Sequence, residues 1–391
     1  VISRSRRRLR VAACAGLALS LTASLAGCSN PLDHSAAANV GTVAPAPGAR
    51  PTAAAQAAPV RAAGFPAVSL APGQKPPQFI VISFDGGGSI DRWKYYRQIA
   101  SAVGAHLTYY LSGTYLLPPG SANLYDPPHH KRGASDIGFA DSGSDIVDRM
   151  DQVRQAYLDG NEIGTHFNGH FCGRTGVQAW SSADWASELS QWYGFLDNWR
   201  TNANAPNAAG MPFDHSAIIG ERTPCLEGHW SALFPVLRAH GFRYDTSDYG
   251  YLQWPKKNPS GLWEIPLQEL RAAQTGVPVL SMDWNFYDMQ THAIDGSPGL
   301  RDSYGQQELQ TYRNAYRAVL NGNRAPLILG GHFMDWNSGV YTRAMGQFIK
   351  ETCGQPDTHC VTFTELINWM EAQTPETLAA LQALPIQTMT K

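Results

Sequence analysis

The sequence has no excess of positive charge, no internal repeat and no closely spaced pair of cysteines. Each absence removes a class of protein. Of the 30 basic residues five lie within the first 27 positions, which hold none of the 32 acids, so the remainder carries about −7. That balance argues against nucleic acid as a partner and favours solubility. Without a repeat there is no solenoid to build. Without a close cysteine pair there is no site of the zinc-finger kind.

What the N-terminus does contain is a positive stretch, with Arg4, Arg6, Arg7, Arg8 and Arg10, followed by an apolar run from Val11 to Ala26. The run is short for a membrane span and has the proportions of a secretory signal. It ends in Leu25-Ala26-Gly27-Cys28, which resembles a bacterial lipobox. The expectation is a signal peptide at 1–27, lipid attachment at Cys28, and an exported protein held to the envelope through that lipid only. The alternative is an ordinary signal peptide with a chance cysteine. Residues 28–75 are rich in Ala and Pro and poor in large apolar residues, which predicts a flexible tether.

Cys14 would leave with the signal, and Cys172, Cys225, Cys353 and Cys360 remain. An even number outside the cytoplasm makes disulfides the default. Cys353 and Cys360 close a short loop and are the first choice, which leaves Cys172 to pair with Cys225. A cysteine metal site and buried free thiols are the alternatives.

From Pro76 the texture changes to apolar β-branched runs alternating with helical periodicity. Strands are predicted at Phe79–Phe84, His106–Leu111, Glu162–Thr165, Ala217–Gly220, Phe242–Tyr244, Pro278–Met282 and Pro326–Leu329. Helices are predicted at Trp93–Val103, Asp145–Leu158, Ala183–Trp199, Trp230–His240, Gln307–Leu320, Thr342–Glu351 and Phe363–Ala372. Such alternation predicts an α/β fold, a distorted, partly open (β/α) barrel around a parallel sheet, as one domain at 76–375. Residues 376–391 read as a loosely attached tail.

In barrels of this kind the chemistry sits at the C-terminal ends of strands. That rule selects Asp85, His166, Arg222, Asp245, Asp283 and His332. His166 and His170 are four apart, a spacing that on a helical turn puts two imidazoles within reach of one cation. Trp93, Trp254, Trp284 and Trp336 fall in loops near these residues, where they could stack on sugar faces or simply fill core; Trp185, Trp192, Trp199 and Trp369 read as core. His129 and His130 read as a solvated loop, with a second metal or substrate contact as the alternative.

Five segments resemble, in order, the motifs of the polysaccharide deacetylases (carbohydrate esterase family 4, the NodB-homology domain). They are Ser83-Phe84-Asp85-Gly86, Thr165-His166-Phe167-Asn168-Gly169-His170, Arg222-Thr223-Pro224-Cys225, Tyr244-Asp245-Thr246-Ser247-Asp248 and Leu329-Gly330-Gly331-His332. Trp263-Glu264-Ile265-Pro266 and Asp283-Trp284-Asn285-Phe286-Tyr287 are similar to the chitin-deacetylase branch. The resemblance implies a divalent metal, zinc first, held by His166 and His170, with Asp85 as base and His332 as acid. It implies that Arg222 orients Asp85, that Asp245 holds His332, and that a backbone N–H near Cys225 stabilises the oxyanion. Trp284 and Trp336 join Cys225 as substrate contacts. The implied activity is removal of N- or O-acetyl groups from a cell-envelope or environmental polysaccharide by a monomer.

The chain departs from the family at Gly86, where a second aspartate usually ligates the metal. Three outcomes are open: Asp85 ligates the metal directly and another group takes the base role, Asp283 or in second place Asp335 supplies the oxygen, or the site binds metal poorly and is silent. A silent site would make the chain a glycan-binding lipoprotein; hydrolysis of another C–N or ester bond is the further alternative. Cys225 replaces the third motif's tyrosine, consistent with a Cys172–Cys225 bond across the mouth of the site.

Overall fold

The computed structural model describes residues 60–389; the signal segment, Cys28 and the tether up to residue 59 lie outside the described residues. In chain order the elements are β1 (Gln78–Gly86), α1 (Ile90–Val103), β2 (Thr108–Leu111), α2 (Gly143–Leu158), β3 (Glu162–Thr165), α3 (Ser182–Asp197), α4 (Trp199–Asn202), β4 (Gly220–Glu221), α5 (Trp230–Ala239) and β5 (Tyr244–Asp245). They continue with β6 (Tyr249–Gly250), β7 (Lys256–Lys257), β8 (Trp263–Glu264), β9 (Leu267–Arg271), β10 (Pro278–Leu280), α6 (Asp283–Thr291), α7 (Pro298–Asn321), β11 (Leu327–His332), α8 (Trp336–Thr352), β12 (Thr358–Cys360), α9 (Phe363–Glu371) and α10 (Pro375–Gln382).

The main sheet runs β11-β1-β2-β3-β4-β5-β8-β7, with β12 also on β1, and every pairing but β7 with β8 is parallel. It curls into a partly open (β/α) barrel with helices outside. A small sheet, β10-β9-β6, continues the wall past β11 through a bridge between Met282 and Gly330. The predicted strand at Pro278–Met282 therefore exists, but it pairs antiparallel to β9 rather than joining the parallel set.

β1 is central because its sequence allows nothing else. Residues Phe79 to Phe84 are buried on both faces, as expected for a continuous apolar run between parallel neighbours. Side chains alternate across the sheet. Ile80, Ile82 and Phe84 pack outward with the helices, whereas Phe79 and Val81 face the interior cluster. The same alternation puts Tyr110 of β2 and Ile328 of β11 inside, and Tyr109, Leu111, Ile163, Leu327 and Leu329 outside. Carried one or two residues further, the inward rows end in Ser83 and Asp85, Ser112, His166 and His332.

Helix ends follow local chemistry. Ser89 and Ser142 accept from the amides of Arg92 and Asp145, and Ser181 and Thr362 form capping boxes with Asp184 and Glu365. Gly104 ends α1 at φ +64°, a left-handed position that a side chain resists.

Two boundaries differ from the sequence expectation. Residues 60–75, assigned to the tether by composition, lie along the domain. Arg61 donates to the carbonyls of Tyr157, Gly160 and Asn161, the Phe65 amide donates to Glu365, and the Leu70 amide donates to Gln373. Phe65 packs edge-on against Phe79. A few anchors suffice where composition is otherwise weak. The C-terminal segment is likewise attached: α10 forms, Gln382 donates to Pro255, and the Gln387 amide donates to Leu252.

Candidate active site

The inward strand ends open on a cavity of about 420 Å³ lined by Asp85, Ser112, His166, His170, Thr223 and His332. Leu226, Met282, Trp284, Met334 and Trp336 complete much of its wall.

Asp85 ends β1 beside His332 of β11, its register partner. Arg222, fully buried, donates to the Asp85 Oδ1 at 2.8 Å, to Ser83 Oγ at 2.9 Å and to Thr246 Oγ1 at 3.1 Å. Burial alone would raise the Asp85 pKa, but Arg222, with His166 and His332, outweighs it and holds the carboxyl below its usual range. Asp85 is therefore an ionised carboxylate aimed at the cavity.

His166 and His170 are brought together differently from the expectation. No helix carries them: Phe167 and His170 adopt left-handed φ of +55° and +60°, and the loop folds back so that the two rings stand 5.0 Å apart. Its polar backbone is held from below. The Asn168 amide donates to Glu188 at 3.1 Å, and the Gly169 amide donates to the Tyr125 hydroxyl at 3.1 Å, which itself donates to Glu188 at 2.9 Å. His166 Nδ1 meets the Arg222 carbonyl at 2.7 Å, so that nitrogen is the protonated one. Its Nε2 is buried and has no hydrogen-bond partner. Burial depresses both imidazoles, His170 to about 3, with His166 and then His332 adding to the effect at His170. Two imidazoles and one carboxylate line the same cavity, residue types that suit a divalent cation, although their ligand atoms do not all lie within 4.8 Å of one another and would have to draw together to hold one.

His332 stands opposite. Its Nδ1 contacts Asp283 Oδ1 at 2.7 Å, and its amide donates to Asp283 Oδ2 at 2.7 Å. Burial lowers the His332 pKa, but Asp283 and then Asp85 overcome it and raise the value above normal. The partner of His332 is thus Asp283, and the expectation for Asp245 is corrected. Asp245 pairs in register with Glu221, one residue out of step with Arg222 and Thr246, so alternation turns it to the other face. There it accepts from the Ser247 amide at 3.2 Å and lies beside Glu221, where burial raises the pKa of both carboxyls. Asp283 has both oxygens on His332, which leaves it outside the His166 and His170 donor set. Asp335 is exposed and pairs with Arg92.

Both disulfides form. Cys172–Cys225 spans Cα atoms 6.0 Å apart and ties the His170 loop to the Arg222 loop, and Cys353–Cys360 closes a loop after α8. His170, Cys172 and Cys225 lie close enough to suggest a ligand cluster, but paired sulfurs are not thiolates.

No protein-family model matches the chain, and no curated protein matches it. Solved structures do. A candidate polysaccharide deacetylase from Mycobacterium smegmatis is similar over 84% of this chain and 99% of its own, at 16% identity and a TM-score of 0.47. A family 4 acetyl xylan esterase from Clostridium thermocellum, solved with a cobalt ion, is similar over 75% of this chain and 92% of its own, at 15% identity and TM-score 0.39. A carbohydrate esterase family 4 pseudoenzyme from Bacillus anthracis is similar over 75% of this chain and 66% of its own, at 8% identity and TM-score 0.39.

Of the aromatic residues in loops, Trp284 and Trp336 reach the cavity, their rings 5.1 Å apart, and Trp284 is 41% exposed. Trp93 and Trp254 are core, as are Trp185, Trp192, Trp199 and Trp369. Cys225 also lines the cavity. His129 contacts Asp184, and His130 stacks on Phe171, so neither joins the site. Sequence reasoning missed Ser112 and Thr223, whose hydroxyls are buried without partners on the cavity wall. Both stand at strand ends, and the rule that found Asp85 would have found them had it been extended to small hydroxyls.

Proposed function

We propose that this chain is a cation-dependent deacylase that removes N- or O-acetyl groups from a polysaccharide of the cell envelope or environment. The observation that carries the reading is the adjacent pair on one cavity: a carboxylate kept ionised by Arg222 and an imidazole whose pKa Asp283 raises above its usual value. His166 and His170 would hold the cation, zinc being the first to test. When bound, it would acidify water and polarise the acyl carbonyl. Asp85 accepts the proton of the attacking water, and Arg222 fixes its oxygen for that transfer. His332 Nε2 delivers a proton to the departing amine or alcohol, while Asp283 holds the ring by Nδ1. The backbone amide at Cys225 would donate to the developing oxyanion. Trp284 and Trp336, beside His332, offer aromatic faces to a sugar ring on the leaving-group side. Export by the N-terminal segment and lipid attachment at Cys28 would set this site at the envelope, where the glycan is.

Gly86 favours one rival, a binding protein that retains the groove without turnover. The test is metal content of the purified protein beside acetate release from acetylated chito-oligosaccharides. About one cation per chain with acetate released supports a deacetylase. A cation without acetate moves the substrate to another acyl compound. Neither leaves the binding protein as the reading.

A further inference from the structure

Four adjacent strands, β11, β1, β2 and β3, end in the inward residues His332, Asp85, Ser112 and His166, in that spatial order. Three of these have roles in the reading above. Ser112 lies between Asp85 and His166, and the reaction so far does not use it.

Its surroundings are unusual for a serine. The hydroxyl is fully buried, lines the cavity and meets no donor or acceptor among the described residues. Ser83, the neighbouring buried serine, shows the ordinary alternative, with Arg222 and the Leu329 carbonyl as partners. A buried hydroxyl without a partner is costly, so a site that keeps one has a use for it. The location identifies the use. The Ser112 amide donates to the Gly86 carbonyl at 3.0 Å, and Ser112 Oγ lies 3.9 Å from where a Cβ at position 86 would stand. Gly86 itself has φ +85°, a conformation that resists a side chain. The hydroxyl just past β2 thus fronts the space that a side chain at 86 would fill, and Ser112 follows Leu111 as His166 follows its register partner Thr165.

We infer that Ser112 Oγ is an oxygen donor of the cation site, supplied from β2 in place of a side chain on β1. The inference rests on the reading of His166 and His170 as cation ligands. A hydroxyl is an accepted oxygen ligand for divalent ions, as in the Ser or Thr that binds magnesium in phosphate-binding loops. Being neutral, it completes the donor set without adding a second negative charge beside Asp85.

The test is calorimetric titration of the demetallated full chain with zinc, on the wild type, Ser112→Ala, His166→Ala and Thr223→Ala. Ser112→Ala should weaken zinc binding about 10–100-fold, a loss of the size seen for supporting groups at metal sites. His166→Ala should abolish binding, and Thr223→Ala, which removes another unpartnered hydroxyl on the same wall, should change it less than about threefold. If Ser112→Ala titrates like the wild type while His166→Ala does not bind, Ser112 is no ligand and the cation reading stands. If His166→Ala also titrates like the wild type, the cation reading falls and takes this inference with it. Ser112→Cys loaded with cobalt gives a second readout that does not depend on affinity or on the stability of the alanine variant. With Cys14 and Cys28 replaced by Ser, the four remaining cysteines are paired, so a thiolate-to-cobalt charge-transfer band can arise only from position 112. The band is expected; bound cobalt without it overturns the assignment.

Discussion

Two aspartates stand at neighbouring ends of the barrel wall, and the company each keeps separates chemistry from structure. Asp283, at the start of α6, meets an imidazole: both its oxygens accept from His332, and the ring faces the cavity. Asp245, at the end of β5, meets another carboxyl, Glu221, on the face turned away from Arg222. Burial is complete in both places. A carboxylate facing a base can hold that base in its protonated form, and so set up a proton donor. Two buried carboxyls side by side resist carrying two charges, and burial raises both, so the pair favours keeping a proton between β4 and β5. The difference is one of pairing rather than of depth.

Arg222 lies between the two regions, donating to Asp85 on one side and to Thr246, the neighbour of Asp245, on the other. Its removal should have the largest effect. Arg222→Met would leave Asp85 buried and unpaired, which costs about 3–5 kcal/mol, and would abolish turnover. Thermal unfolding with acetate release checks both, and a variant that is stable and active would remove the pair from the account. Asp283→Asn comes next. It should lower kcat about 100-fold, within the usual range for a positioned acid, with little change in KM. The carboxylate that raises the His332 pKa against burial would be gone, so the alkaline limb of the kcat profile should move to lower pH. An unmoved limb would mean that His332 is not the acid. Asp245→Asn should leave the limb in place and kcat within about twofold, because an amide can still bond Glu221 on the far face. A kcat loss as large as that of Asp283→Asn would erase the distinction between the two regions.

Much of this site was legible because long strands announce their direction and parity. Phe79 to Phe84 fixed β1 and with it Asp85, and the run before His332 did the same for β11. Glu162-Ile163-Gly164-Thr165 delivered His166. β4 and β5 span two residues each, too few for alternation to be read, and there the parity of Asp245 was lost. The His166 to His170 spacing suggested a helical turn, whereas a loop with two left-handed residues brings the two rings together. Composition misled at residues 60–75, where Arg61, Phe65 and Leu70 tie an otherwise featureless segment to the domain. Ser112 carried no signal that distinguishes a ligand from any serine after a strand; only its burial without a partner does.

The smallest expected effect tests the carboxyl pair directly. Burial raises the pKa of both Glu221 and Asp245, and at Glu221 the neighbouring Asp245 adds to it. The folded protein therefore binds more protons than the unfolded chain between the ordinary carboxylate range and the raised values. Stability from the shared proton is present at low pH and is lost as pH rises through that window. Glu221→Gln supplies an amide N–H to Asp245 at any pH and removes the need for the proton. The variant should match the wild type near pH 5 and exceed it near pH 8 by about 1 kcal/mol, the worth of roughly one pKa unit. Some slope will persist in both proteins, because burial also raises Glu162, Glu188 and Glu308. Parallel stability curves for variant and wild type would show that Glu221 and Asp245 do not share a proton. Asp245 would then be a buried carboxylate in need of another partner, and its separation from the Asp283 region would have to be argued afresh.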